Sequence, residues 1–279
     1  MSRTIILVGC GNMGFALLQG WLESGILAVE DVHVVEPAEA LRTRAANAGV
    51  RTYAGAETLP PDLKPHMVLI AVKPQIMADV LPAYRRFAAQ STFVSIAAGI
   101  PIALLNSCLG ANAAIVRCMP NTPAAIGKGM LVTCGNPHVS APSAAFITRL
   151  LEVSGAVATV DDEALMDAVT AVSGSGPAYV FHFIEALTDA GTAIGLPHDT
   201  AALLAMQTVA GAGALAAASA ESPTRLREQV TSPNGTTDAA LAVLMGDNRL
   251  TALVTEAVKA ARMRSVELGE AVPQTAELP

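Results

Sequence analysis

A chain of 279 residues is long enough to bury a full core, and it fits one large domain or two ordinary ones; two are expected here. Its 17 basic and 24 acidic side chains leave a net charge of −7, which argues against a nucleic-acid backbone or an anionic membrane surface as partner, because neither would be attracted. The four cysteines show no C-x-x-C pairing and the five histidines no metal-ligand spacing, so the thiols read as small apolar fillers in a reducing cytoplasm and no metal site is expected.

The chain opens on its most informative segment. Thr4–Val8 is an apolar, β-branched run that leads straight into Gly9-Cys10-Gly11-Asn12-Met13-Gly14, after which Ala16, Leu17, Leu18 and Trp21 recur at helical spacing. A strand, a glycine loop and a helix start in that order form the phosphate-binding turn of a Rossmann-type unit. Gly9 permits the tight turn, Gly11 lets the main chain approach a pyrophosphate, Gly14 lets the helix pack close, and the first helical amides face the anion. The bland alternative is an ordinary strand-turn-helix with glycines for packing. A lipoprotein signal, suggested by Leu7-Val8-Gly9-Cys10 after Arg3, is set aside because the apolar stretch is shorter than a signal core of roughly 7–15 residues.

Glu36 closes the next predicted strand, Val32–Glu36, 22 residues past Gly14. A carboxylate there takes a ribose 2′-hydroxyl and repels a 2′-phosphate, which favours NADH on charge alone; Arg42 or Arg44 would offset it if their helix turned them inward. Further strands are expected at Val50–Tyr53, Met67–Val72, Thr92–Ile96, Ala114–Arg117, Met130–Cys134 and Ala156–Val160. Helices are expected at Asn12–Ser24, Ala38–Ala48, Gln75–Arg86, Pro101–Leu109 and Ser140–Leu151, with Gly49 just past the end of the second and Pro142 in the first turn of the last. Strands alternating with helices in this way predict a mostly parallel sheet covered on both faces.

Beyond Asp161-Asp162, a good capping pair, no β-branched alternation returns and the chain reads as all-helical. Breaks are expected at Ser173–Pro177, Gly195–Pro197, Glu221–Pro223, Ser232–Gly235 and Gly246-Asp247, with Ala271–Pro279 a frayed tail. The domains are therefore placed at 1–161 and 162–279. Positive mean hydropathy raises the question of a membrane. Thr200–Ala220 carries no Lys, Arg or Asp and is long enough to span, but it is mostly Ala, Gly, Ser and Thr, so it reads as a helix packed inside the protein or across a subunit interface.

Three loops carry candidate chemistry. Ala71-Val72-Lys73-Pro74 follows a strand at the carboxyl edge of the sheet, where ligands bind in open α/β folds. Lys73 there is a solvated strand-end charge or a residue beside the cofactor. Met119-Pro120-Asn121-Thr122-Pro123 follows another strand, and its two prolines fix a loop that a mere connection would not need. Thr231-Ser232-Pro233-Asn234-Gly235-Thr236-Thr237-Asp238 brings hydroxyls and free amides to one helix start, which suits a small carboxylate; plain capping by Ser232 or Thr236 is the alternative.

Taken in order and spacing, Gly9–Gly14, Ala71–Pro74, Met119–Pro123, Ser173–Tyr179 and Thr231–Thr237 make the chain resemble the pyrroline-5-carboxylate reductases over nearly its whole length. The resemblance implies reduction of 1-pyrroline-5-carboxylate to L-proline with NADPH or NADH, the last step of proline biosynthesis. It implies that Thr237, as the catalytic residue, bonds the ring nitrogen; that Ser232 and the amides of Gly235, Thr236 and Thr237 hold the carboxylate; and that Glu163 approaches the ring nitrogen. It assigns Gly9, Gly11, Asn12, Met13, Gly14, Glu36, Ala71, Val72, Lys73, Pro74, Ala97 and Asn121 to the cofactor. The helical domain would form an interlocked homodimer or a larger homo-oligomer.

Two positions depart from the family pattern. Asn234 stands where glycine is usual, and Ala54-Gly55-Ala56-Glu57 lacks the asparagine that often meets the adenosine side. Two rival functions remain open. A β-hydroxyacid-dehydrogenase-like enzyme would want a lysine in the helical domain, where only Lys259 follows Lys128; a non-catalytic NAD(P)H-binding sensor would not need the Ser232–Thr237 loop.

Overall fold

All eight expected β-branched segments pair in one sheet. In the computed structural model, which describes residues 3–270, the strands are β1 (Ile5–Val8), β2 (Val32–Val35), β3 (Arg51–Tyr53), β4 (Met67–Ile70), β5 (Thr92–Ser95), β6 (Ala114–Met119), β7 (Gly129–Gly135) and β8 (Gly155–Thr159). They run in the order β3-β2-β1-β4-β5-β6-β7-β8. Every residue of β1, β2, β4 and β5 is buried, as parallel strands covered on both faces require. β2 and β4 flank β1, so the chain reverses its direction of growth there and leaves a crevice at the carboxyl edge.

One pairing is antiparallel, between β6 and β7. The connection, residues 120–128, is too short to return the chain for a parallel partner, which needs about a dozen residues or more.

The two faces of β1 separate two cores. Ile5 and Leu7 meet Leu17, Leu18 and Trp21 of α1 (Asn12–Glu23) and Ile147, Leu150 and Leu151 of a later helix; α2 (Glu39–Asn47) adds Ala45 to the same side. Trp21 is fully buried, and its indole N–H donates to the Leu150 carbonyl at 3.0 Å, so no polar group is stranded. Ile6 and Val8 face Met77 of α3 (Met77–Val80), then Leu81, Tyr84 and Phe87, and Leu104 and Leu105 of α4 (Ile102–Leu109). Burying each such side chain contributes about 1.5–3 kcal/mol before the entropy of ordering it is counted.

The expected helix over 75–86 is broken. α3 gives way at Leu81 to a tighter 3₁₀ segment, Leu81–Phe87, because Pro82 has no amide to donate and its ring crowds the preceding turn. Elsewhere the local signals hold: Gly49 takes φ +89° after α2, and Ser140 caps α5 (Ala141–Glu152) with Pro142 in its first turn.

Asp162 accepts the Ala164 amide at 2.9 Å and starts the helical region. It comprises α6 (Met166–Val169), α7 (Gly176–Ala193), α8 (His198–Ala218), α9 (Pro223–Gln229), α10 (Thr236–Met245) and α11 (Arg249–Glu270). The expected break at Ser173–Pro177 is instead a wide π-turn, Thr170–Gly174, that carries α6 into α7; the Ser175 amide reaches back to the Thr170 carbonyl at 2.8 Å. Pro177 is tolerated because it falls in the first turn of α7, where the amide has no helical partner.

The chain divides into two compact units. One runs to Ser175 and takes up α11 again from Ala261; the other is Gly176–Ala260. In the first, the Ser265 hydroxyl bonds Asp167 at 2.6 Å, and α11 lies so close to the loop after β5 that a Cβ on Gly269 would fall 2.7 Å from the Gly99 carbonyl. In the second, α7 and α8 pack as a hairpin through Gly191 against Ala201. α8 is the one described helix long and apolar enough to cross a membrane, and Leu203 (69%) and Met206 (55%) lie exposed on it. The expected tail, Ala271–Pro279, lies outside the described residues.

Candidate active site

β1 ends at the glycine loop, and the three glycines meet different surroundings. Gly9 sits at φ +85°, where a Cβ would fall 2.8 Å from the Ala71 carbonyl, so the loop is pressed against the end of β4. A Cβ on Gly14 would fall 2.6 Å from the Gly9 carbonyl, which seats α1 on the turn. Gly11 differs, because among the described residues no atom lies within 4 Å of where its Cβ would be.

That open space belongs to a cavity of about 400 Å³ lined by Gly9, Gly11, Glu36, Ala71, Val72 and Lys73, together with Ala54–Glu57 and Asp79. Gly11 also caps α1, and no described side chain takes the amides of the first turn. A cleft bordered by bare backbone and unclaimed helical amides fits a nucleotide pyrophosphate. Gly14→Ala should lower stability by roughly 1–3 kcal/mol in denaturant unfolding, since the methyl would meet the Gly9 carbonyl and the Ala71 methyl, neither of them the far end of a flexible side chain. An unchanged midpoint would show that α1 is free to shift.

Glu36 is 6% exposed and its carboxylate is fixed at both oxygens: Oε2 accepts the Cys10 amide at 2.7 Å and Oε1 the Ala38 amide at 2.9 Å. Both arginines of α2 are turned onto main chain. Arg42 Nη1 donates to the carbonyls of Glu36 (2.9 Å) and Pro37 (2.8 Å). Arg44 Nη2 donates to Cys10 (2.7 Å) and Gly11 (3.1 Å), with its guanidinium 4.2 Å over the Phe15 ring. Burial pushes the Cys10 thiol up to about 11 against the opposing pull of Arg44, so it stays neutral at physiological pH.

The other expected cofactor residues are placed along the same carboxyl edge. Asn12 and Met13 open α1, Pro74 starts the turn after β4, and Ala97 follows β5. The side-chain amide of Asn121 is engaged at both ends: it donates to the Ser173 carbonyl at 3.0 Å and accepts the Met130 amide at 2.9 Å, tying the loop after β6 to the π-turn. In the loop after β3, the Glu57 carboxylate folds over Gly55.

Glu163 Oε1 accepts both Arg117 Nη1 at 2.7 Å and the Ile102 amide at 2.8 Å. It thus neutralises a guanidinium buried in β6 and caps the start of α4. Sequence reasoning missed this pair and the Asn121 tie. The signal was an arginine inside the apolar run Ala114-Ile115-Val116-Arg117-Cys118-Met119, which cannot be buried without an acid.

Ser232, Gly235, Thr236 and Thr237 belong to the second unit. Asn234 takes φ +58°, the left-handed conformation its glycine-like position demands. The Gly235 amide bonds the Ser232 carbonyl at 2.9 Å, and the Asn234 amide bonds Asp238 at 3.0 Å. Gly235 caps α10, and neither Ser232 nor Thr236 acts as a side-chain cap, so the hydroxyls and the amides of Thr236 and Thr237 stand at the helix start unclaimed by such a cap. Thr237 is half-buried while Ser232 and Thr236 are exposed. No cluster of three or more metal-ligating side chains forms among the described residues.

Comparison with known proteins covers both units. Residues 163–268 match the pyrroline-5-carboxylate reductase dimerisation family, and residues 4–99 match the family described as NADP oxidoreductase coenzyme F420-dependent. A pyrroline-5-carboxylate reductase from Pseudomonas aeruginosa is 41% identical over 97% of this chain and 98% of its own length. The structure of a pyrroline-5-carboxylate reductase from Coxiella burnetii superposes with a TM-score of 0.90 at 32% identity, covering 96% of this chain and 99% of that one. The Plasmodium falciparum pyrroline carboxylate reductase, solved with NADP bound, gives 0.82 at 30% identity over 96% and 98%. With likeness of this strength from end to end, the chain belongs to the pyrroline-5-carboxylate reductase family.

Proposed function

We infer that the protein is an NAD(P)H-dependent oxidoreductase that reduces 1-pyrroline-5-carboxylate to L-proline, the last step of proline biosynthesis. The observation that carries this reading is the 41% identity to a reductase of that name across 97% of the chain. When bound, the reduced nicotinamide supplies a hydride to the carbon of the ring C=N bond.

The chain's own residues bind and orient. Gly11 and the first amides of α1 hold the pyrophosphate, Glu36 takes the adenosine ribose, and Ala71, Val72 and Lys73 line the floor beside it. Ser232 and the amides of Thr236 and Thr237 hold the substrate carboxylate. Gly235 shapes that turn, because its own amide is already bonded to Ser232. The Thr237 hydroxyl bonds the ring nitrogen, while Glu163, whose Oε1 is engaged by Arg117, keeps Oε2 for a ligand. A cyclic imine is basic enough to be protonated near neutral pH, so orientation matters more than a strong acid.

The protein acts as a homodimer or larger homo-oligomer in the cytoplasm. Support comes from the matched dimerisation family and from exposed apolar side chains on α7, α8 and α11, among them Phe181 (58%), Leu203 (69%) and Leu253 (64%). On this reading a second subunit, and not lipid, covers α8. The functional division is then a nucleotide domain over 1–161 and a substrate-binding, dimerising domain over 162–279.

Purified protein should oxidise NADH or NADPH, followed by loss of nicotinamide absorbance, only when pyrroline-5-carboxylate is added. Tight nucleotide binding without any such turnover would replace this reading with that of a nucleotide sensor.

A further inference from the structure

We propose that this chain selects NADH over NADPH, with Glu36 as the specificity-determining residue and Arg44 as a brace of the glycine loop, not a phosphate ligand. This selectivity deepens the function inferred above and presupposes its nucleotide site.

A 2′-phosphate brings roughly 1.5–2 negative charges to the place where a 2′-hydroxyl brings none. Glu36 is nearly buried, and bonds from Cys10 and Ala38 prevent it from swinging away. Each carboxylate oxygen keeps a further lone pair, so the group still accepts a ribose hydroxyl while meeting a phosphate with like charge, weakly screened. Glu57 and Asp79 line the same cavity and add to the negative field.

A phosphate in this position would need a cation. Arg42 and Arg44 are the cations of the helix that follows Glu36, and each is bonded to two main-chain carbonyls; Arg44 is further held on Phe15. Releasing Arg44 toward a phosphate would strip the carbonyls of Cys10 and Gly11, in the very loop that approaches the pyrophosphate. Lys73 is the one cation among the described lining residues, and it follows β4. β4 lies on the far side of β1 from β2, two strand spacings or roughly 10 Å from Glu36.

The test is the affinity of the full-length protein for each nucleotide, by calorimetry without substrate, alongside kcat/KM for each. NADH should bind at least ten-fold tighter than NADPH. Glu36→Gln should shift that ratio at least ten-fold toward NADPH, chiefly by strengthening NADPH. Arg44→Ala should weaken both nucleotides alike and leave the ratio within two-fold. Tighter binding of NADPH by the wild type would overturn the proposal, as would a selective loss of NADPH in Arg44→Ala or Arg42→Ala. If Glu36→Gln does not fold, the wild-type and arginine-variant ratios decide. NADH selectivity without turnover of pyrroline-5-carboxylate would uphold this inference and sink the proposed function; binding of neither nucleotide would sink both.

Discussion

Gly11→Val will abolish nucleotide binding and leave the protein folded. The two halves of that expectation come from one feature. Gly11 sits in an extended conformation that a β-branched residue accepts, at φ −63° and ψ −166°, and its Cβ would meet no described atom. No described atom within 4 Å of that Cβ resists the substitution, so the melting temperature should stay within a few degrees. The isopropyl group would instead fill the space over which main chain and pyrophosphate must approach. A loss of at least about 100-fold in affinity is expected, about 2.7 kcal/mol or more. Retained affinity in calorimetry would remove the glycine loop from the binding site. Gly9 and Gly14 do not permit so clean an experiment, because a side chain at either collides with main chain before any ligand arrives.

Thr237→Ala tests the other end of the reaction. Its hydroxyl stands half-buried in the first turn of α10 without serving as a cap, so its removal should leave that helix start intact. If it bonds the ring nitrogen, the loss should fall on kcat, by on the order of 100-fold, with NADH and NADPH affinities near wild type. Thr237→Ser, which keeps the hydroxyl, should recover most of the rate. Weakened nucleotide binding with normal turnover would place the residue at the cofactor instead.

Much of the architecture was legible in the sequence for a simple reason. Buried parallel strands are apolar on both faces, so β1 and β4 announce themselves as continuous runs, and the glycine loop directly after β1 is local in sequence as well as in space. Asn234 at φ +58° was legible too, because few other residues take a glycine's place in a left-handed turn. What could not be read depends on contacts between distant segments. That Arg44 turns onto the carbonyls of Cys10 and Gly11 is a contact across 34 and 33 positions, and its sequence spacing alone left either direction open. Glu163 reaching Arg117 across 46 positions and Asn121 reaching Ser173 across 52 are tertiary facts of the same kind. The π-turn at Thr170–Gly174 was hidden by its own glycines and proline, which as a string signal interruption although the helix runs on through them.

The return of α11 to the first unit has a consequence for how the chain matures. Because Ser265 and Gly269 pack on Asp167 and Gly99, the first unit stays incomplete on the ribosome until the whole of the second has been made and α11 has emerged behind it. The intervening unit leaves and rejoins it through two covalent joints, so no single proteolytic cut yields both parts whole.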